Sequence, residues 1–305
     1  MNESVRLILN QACQVILGKE QQIRFALACL LARGHLLIED LPGVGKTTLA
    51  HVLAKTLGLK FQRVQFTSDL LPADILGVSV YQQNSNKFEF HPGPIFSQVI
   101  LADEVNRATP KTQSALLEAM EEHQVTIEGN TKPLPEPFFV IATQNPTQSI
   151  GTFPLPESQL DRFLMRIEIG FPNREAERAM LQGRDRRDLI LELQPSLDKG
   201  ELNTLFDGVK QIHASSALLD YLQALVEYTR NTPHFANGLS PRASLALLNG
   251  AKAWAFVDGR KHVLPEDVQI ILPAVVSHRL IASAQSDHPT SRDLVALLLD
   301  EVAIP

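Results

Sequence analysis

A chain of 305 residues with a net charge of −6, 44% hydrophobic and 20% charged side chains fits one large globular domain plus a smaller one, and excludes collagenous, low-complexity and disordered classes. The acid excess argues against nucleic acid or an anionic membrane as the default partner. With no run of about eighteen apolar residues, no membrane-spanning helix is predicted.

The N-terminal MNESVRLILNQACQ has an early acid, no basic start and no small-residue cleavage site. It reads as an amphipathic helix of a cytoplasmic protein and not as a signal peptide. Apolar residues at helical spacing (Val5, Ile8, Leu9, Ala12, then Ile23, Ala26, Leu27, Leu30, Leu31) predict helices across 5–34, broken at Gly18. Cys13 and Cys29 fall in these patterns and read as reduced core thiols, and no Cys/His set has zinc spacing.

HLLIED then predicts a buried strand, and LPGVGKTTLAHVLAKTLG a Gly-rich turn opening a helix, the start of a βαβ unit. Further strands are predicted at 61–66 (FQRVQF), 97–104 (SQVILADE), 138–146 (FFVIATQNP) and 163–170 (FLMRIEIG). Residues 110–123 predict an amphipathic helix with Pro110 in its first turn and Leu116, Leu117 and Met120 on one side. Two segments interrupt the alternation. Residues 78–93 read as a hairpin with an Asn-Ser-Asn tip, and 125–138 as another turning at Gly129-Asn130; either could be surface decoration. After Phe171-Pro172-Asn173 the pattern becomes helical, near 174–184, 198–212, 215–230, 240–257 and 265–277. The predicted division is therefore 1–172 for the nucleotide-binding domain and 173–305 for a smaller all-α domain. No internal repeat is visible.

The strongest chemical signal is Gly43-Val44-Gly45-Lys46-Thr47-Thr48. Glycines let backbone N–H groups close around a phosphate, and the following helix presents its positive end. Lys46 would reach the β- and γ-phosphates, and the Thr47 hydroxyl would bind Mg²⁺. The general phosphate-loop pattern has Gly where this chain has Asp40, a departure at the loop entry. Val99-Ile100-Leu101-Ala102 feed Asp103 and Glu104 at a strand's C-terminal end, the side of an open sheet that faces ligand. There Asp103 suits magnesium, and Glu104 suits orientation of an attacking water. Asn145, after Ile141-Ala142-Thr143-Gln144, suits a water-positioning amide, although Asn before Pro146 also suits a plain turn. Arg162 reads either as an arginine finger for a neighbouring subunit or as a surface ion pair, with Asp161 or a similar acid. Ser240 and Pro241 predict a helix start that puts Arg242 in a first turn, where a cation opposes the helix dipole; a phosphate partner or solvation would explain it.

Together these residues resemble the AAA+ ATPases and, more narrowly, the MoxR family. GVGKTT stands as Walker A, VILADE as Walker B, Asn145 as sensor 1, Arg162 as the finger and Arg242 as sensor 2. EDLPGVGKT, ADEVNRATPKTQSALLEAMEE, VIATQNP and FPLPESQLDRF look MoxR-like, Asp40 included, and the resemblance runs over roughly residues 15–280. It implies an α/β fold: an AAA+ αβα P-loop domain with a five-stranded parallel sheet, plus a smaller helical lid. It implies that the hairpins are the helix-2 insert and the pre-sensor-1 hairpin, and that Leu17 and Gly18 line an adenine pocket. It further implies Mg-ATP hydrolysis in a homo-oligomeric ring, usually a hexamer, with Arg242 serving its own or a neighbour's nucleotide. MoxR proteins look like chaperones that remodel or mature protein partners, often ones with a von Willebrand factor A domain. Two other readings stay open. One is a nucleotide-gated binding module with little turnover, against which the set Asp103, Glu104, Asn145 and Arg162 argues. The other is a nucleic-acid motor, against which the hairpins argue, since Lys87 and Lys132 are outnumbered by Glu89, Glu128 and Glu136.

Overall fold

Alternation of side chains along five parallel strands, four of them largely buried, sets the architecture. The computed structural model describes residues 2–84, 86–145, 151–198, 200–284, 286–287 and 290–304. Pro146 of the predicted fourth strand, Ser85 of the predicted hairpin tip and Lys199 of a predicted helix lie outside the described residues.

In chain order, α1 (Glu3–Val15) is capped by the Asn2 side chain, which accepts from the Ser4 amide at 2.9 Å, and buries Val5, Ile8, Leu9, Ala12 and Val15. Gly18, at φ +69°, makes the break before α2 (Glu20–Leu31). Then follow β1 (Leu36–Glu39), α3 (Lys46–Thr56), β2 (Phe61–Gln65), α4 (Pro72–Leu76), the hairpin β3 (Gly77–Gln82) and β4 (Lys87–Pro92), β5 (Val99–Asp103) and α5 (Pro110–Glu122). The second hairpin is β6 (Gln124–Ile127) with β7 (Asn130–Pro133). It turns at Glu128-Gly129, one residue earlier than predicted, with both residues at positive φ as a two-residue hairpin turn requires. Next come β8 (Phe139–Gln144), α6 (Glu157–Leu160) and β9 (Met165–Ile167). The helical remainder is α7 (Arg174–Gln182), α8 (Arg186–Glu192), α9 (Glu201–Lys210), α10 (Ser216–Asn231), α11 (Pro241–Val257), α12 (Pro265–Val276) and α13 (Ser291–Glu301). Helices α8 and α13 were not predicted.

The five parallel strands lie in the order β2-β5-β8-β1-β9. The chain leaves the centre after β1, returns through β5 to β8, and crosses to β9. Register aligns the strand ends: Gln65 pairs with Asp103, and Gln144 with Glu39. Alternate residues serve opposite layers. Leu36, Ile38, Val99, Leu101, Phe139, Ile141, Met165 and Ile167 meet α1, α2, α3 and the C-terminal helices in one core. Leu37, Ile100, Ala102, Val140 and Ala142 meet Leu116, Leu117 and Met120 of α5 in the other.

The C-terminal helices are joined to the sheet through its side, not over the strand ends. Helix α11 packs on α2, and α12 on β9. Gly250 of α11 permits this approach, since a Cβ there would stand 3.2 Å from Ile271 and from Met165. Among the described residues no helix is long and apolar enough to cross a membrane.

Candidate active site

The C-terminal ends of β1, β5 and β8 bring the predicted phosphate-end residues together. Gly43 and Gly45 sit at φ +83° and +100°, a region open to glycine and costly for L side chains, and a Cβ at either would meet nothing within 4 Å. That open backbone leads into α3, which begins at Lys46, so its unpaired amides and dipole face the same space. Val44 packs against the first core, and Thr47 and Thr48 lie in the first turn of α3.

Lys46 is almost buried, and burial lowers its pKa, while Asp40, Asp103, Glu104 and Glu39 partly offset that. Its ammonium donates to the Asp40 carbonyl (2.6 Å), to Asn145 Oδ1 (2.8 Å) and to the Gln144 carbonyl (3.4 Å). Asn145 in turn donates through Nδ2 to Glu104 Oε1 at 3.1 Å. One amide therefore spans the lysine and the carboxylate at the strand ends; the turn reading concerns Pro146, which lies outside the described residues.

Glu104 adopts a left-handed backbone (φ 56°), an unusual conformation for a residue of its kind. Its amide donates to Thr143 Oγ1 at 2.9 Å, which holds that backbone. Gln65 Nε2 (3.0 Å) and Arg107 Nη1 (2.9 Å) donate to its Oε2. Asp103 accepts from Thr143 Oγ1 at 2.6 Å, and from Arg63 at 3.1 and 2.6 Å. Thr143 thus orients both acids. Sequence reading missed Arg63, Gln65 and Thr143; the two-residue spacing of Arg63 and Gln65 on β2 is the signal that could have found the first two.

Asp40 explains itself. Its Oδ2 accepts from the amides of Ile169 (2.7 Å) and Gly170 (2.6 Å), and its Oδ1 from that of Leu41 (2.7 Å). The carboxylate therefore pins the loop entry to the chain leaving β9. The next residue, Phe171, accepts from Lys19 Nζ at 2.6 Å, which brings the α1–α2 turn with Leu17 and Gly18 to this same edge. Gly18 is close to α7, where a Cβ would stand 3.0 Å from that of Ala176.

The chemistry of the donors fits a hard cation. Among the described residues no cluster of three or more His, Cys, Asp and Glu side chains forms an all-protein metal cage. One hydroxyl, Thr47, and one carboxylate, Asp103, match the sparse protein ligation of Mg²⁺, which phosphates and water complete.

Arg162 and Arg242 are brought together, but elsewhere. Arg162 Nη2 lies 3.0 Å from Glu121 Oε2, and Arg242 pairs with Glu121 Oε1. Asp161, the adjacent acid, is instead bound by Arg279 at 2.7 Å, from the turn that follows α12. Glu121 also resolves the awkward cation in the first turn of α11, which Ser240 caps by accepting from the Ala243 amide at 3.1 Å. The pair borders a cavity of about 270 Å³ that includes Arg33, His35 and Arg279. His35 immediately precedes β1, and its carbonyl accepts from the Leu164 amide at 2.9 Å, just before β9. The arginines therefore stand at the N-terminal edge of the sheet, across its length from Gly43–Thr48. Two other arginines are engaged at the phosphate edge: Arg166 with Glu39 (2.9 Å) and Arg107 with Glu104 (2.9 Å).

Residues 35–165 match the family model described as the ATPase family associated with various cellular activities, and residues 227–297 the AAA lid domain. The chain is similar to the uncharacterized protein YeaC of Bacillus subtilis, 43% identical over 96% of this chain and 92% of that one. It is 39% identical to the chaperone MoxR1 of Mycobacterium tuberculosis, over 96% of this chain and 80% of that one. A crystal structure of a candidate ATPase from Cytophaga hutchinsonii superposes with a TM-score of 0.91 at 36% identity, covering 99% of this chain and 95% of that one.

Proposed function

The chain belongs to the MoxR family of AAA ATPases, and from that premise we propose that it hydrolyses Mg-ATP at sites completed by a neighbouring protomer in a ring, and uses the cycle to remodel or mature a protein client. The observation that carries this reading is the separation of Arg162 and Arg242 from Gly43–Thr48 by the length of the sheet. Both arginines are paired with Glu121 at the far end of the sheet, which supports service to a neighbour's phosphates over those of their own chain. Both can serve those of a copy set edge to edge, and repetition of that contact closes a ring, with a hexamer as the family's usual size.

Within each site the chain's own residues divide the work. Amides of the Gly43–Gly45 loop and the start of α3 bind the phosphate chain, and Lys46 neutralises its far end. Leu17 and Gly18 contact the adenine. Thr47 and Asp103 would hold Mg²⁺, which when bound supplies charge neutralisation across the β- and γ-phosphates. Glu104 accepts a proton from the attacking water at its carboxylate, and Asn145 fixes the carboxylate's direction. The neighbour-facing Arg162, seconded by Arg242, stabilises the charge that develops on the transferred phosphoryl group. We take 1–172 as the nucleotide-binding part and 173–305 as the helical lid. A client is supported by the relative named as a chaperone; within the family reading, its class is a protein with a von Willebrand factor A domain. The exposed aromatic pair Tyr81 and Phe88 at the first hairpin, 5.4 Å between ring centres, offers a contact for such a protein.

Mixing provides the test. Glu104→Gln protomers cannot hydrolyse but keep their arginines, whereas Arg162→Ala protomers keep Glu104 and lack the finger. Each alone should be inactive and an equimolar mixture active. A mixture as inactive as its components rejects the shared site.

A further inference from the structure

Arg279, in the turn that follows α12, has no part in the reading so far, yet its side chain is 5% exposed and fully engaged. Its Nε donates to Asp161 Oδ1 (2.7 Å), and its Nη2 to the carbonyls of Asp161 (3.1 Å) and Phe163 (2.7 Å). Its Nη1 donates to the carbonyl of Leu164 (3.3 Å) and to that of Val275 in α12. The adjoining His278 is also buried, and its Nε2 lies 3.0 Å from the Phe163 carbonyl. Apart from Val275, every acceptor belongs to residues 161–164, the four that contain Arg162. Asp161 is held from α11 as well, by Ser240 Oγ at 3.5 Å and Arg242 Nη1 at 3.8 Å.

We infer that Arg279 is a positioning residue: a clamp carried by the helical lid that sets the backbone around Arg162 and so holds the finger beside Arg242, facing the neighbouring protomer. A planar guanidinium suits this task, because its fork of donors fixes several acceptors in one geometry where an ammonium acts as a point charge. By occupying Asp161, Arg279 also takes up the acid that precedes Arg162 in the chain. That leaves the Arg162 guanidinium on Glu121, with its Nε unpartnered among the described residues. The backbone is locked while the side chain keeps a single counter-ion that a phosphate can replace. Arg242 and Ser240 at the start of α11 and Arg279 just after α12 all grip Asp161, so a tilt of the lid carries the finger segment with it. The reach of the arginines is thereby coupled to the lid.

This inference rests on the reading that Arg162 completes a neighbour's site, and the experiment separates the two. Arg279→Lys keeps the charge on Asp161 and removes the fork. In a variant shown to be folded by a cooperative urea transition, ATP affinity should stay within about twofold of the parent. At the same time kcat should fall on the order of 10²-fold, the effect of misplacing a catalytic group by about an ångström, with KM little changed. Addition of an equal amount of Glu104→Gln protomers should restore turnover, as it should for Arg162→Ala run in parallel; a defect confined to the core would not be restored by a neighbour. A folded Arg279→Lys protein with parental kcat overturns the proposal. So does lost turnover that Glu104→Gln fails to restore while Arg162→Ala is restored. If Arg162→Ala itself is not restored, the shared-site reading has failed, and the clamp with it. Asp161→Asn removes the clamp from the loop side and is judged by the same criteria, so a Lys variant that does not fold does not shelter the proposal.

Discussion

The two edges of the central sheet are built on different plans. At the C-terminal edge the functional groups come from strand ends placed in one row by register, each within a short contiguous motif: Gly43–Thr48, Asp103-Glu104 and Asn145. At the N-terminal edge they come from residues scattered along the chain, Arg162, Arg242 and Arg279, gathered around Glu121 and Asp161. The first edge is locally encoded and bound into a network of amide, lysine and acids. The second exists only once α5, the segment before β9 and the lid helices have packed together. Under the proposed shared site, one copy's first edge would have to meet another copy's second, which would make assembly a condition of turnover.

Changes that disable one edge alone break this comparison most sharply. Glu104→Gln removes the base and Arg162→Ala the finger, and each should reduce turnover on the order of 10³-fold while ATP affinity stays within a few-fold. Phosphate release and equilibrium nucleotide binding measure the two quantities; if Arg162→Ala turns over at the parental rate, the finger lies elsewhere.

The edges should also differ in their response to pH. His35 lies behind the arginine edge, and its ring is fixed: Nδ1 accepts from the Val140 amide at 3.0 Å, which leaves Nε2 to donate to the Met120 carbonyl at 3.1 Å. Burial lowers its pKa from 6.5 to about 4. The folded state therefore resists a proton that the unfolded chain accepts. Stability present above pH 6.5 is lost as pH falls toward 4, by about 3 kcal/mol in all from this one group. His278 is lowered in the same direction, chiefly by burial. Urea unfolding from pH 7 to 4.5 should show a shallower decline in His35→Gln than in the parent. Parallel slopes would mean that His35 is not the group responsible.

A smaller effect is expected at the phosphate edge from Asp40→Gly, which installs the residue of the general phosphate-loop pattern. The amides of Ile169 and Gly170 lose their acceptor, at a cost of about 2 kcal/mol. The midpoint of denaturation should fall and ATP affinity should weaken several-fold. The arginine edge should be untouched, so Asp40→Gly protomers should still restore activity to Arg162→Ala partners. If they do not, the edges are less independent than their construction suggests.

Legibility followed the same division. Strands, phosphate loop and acids were readable because periodicity, glycine and strand-end acids are local signals. The Glu128-Gly129 turn was misplaced by one residue, because both Gly129 and Asn130 tolerate turn geometry. Helix α8 was missed, being seven residues long with Ile190 as its buried residue. Helix α13 was missed although Thr290 and Asp293 form a capping box, a signal present in the sequence. Arg162 does form an ion pair, but with Glu121 and not with the adjacent Asp161, because adjacency in sequence is a poor guide to ion pairing when a buried guanidinium arrives from residue 279.

The sequence by itself determined the nucleotide-binding architecture, since hydrophobic period and turn chemistry are written in consecutive residues and register then leaves the strand ends little choice. It also determined that Asp40 is compatible with the loop, as part of a family pattern. Only the tertiary structure decided what Asp40 bonds to, where Arg162 and Arg242 stand, and which side chain holds them. Those outcomes depend on the packing of α11 and α12 against α2 and β9, which brings together residues more than a hundred positions apart. No local propensity encodes such a meeting; close packing of the shared core does.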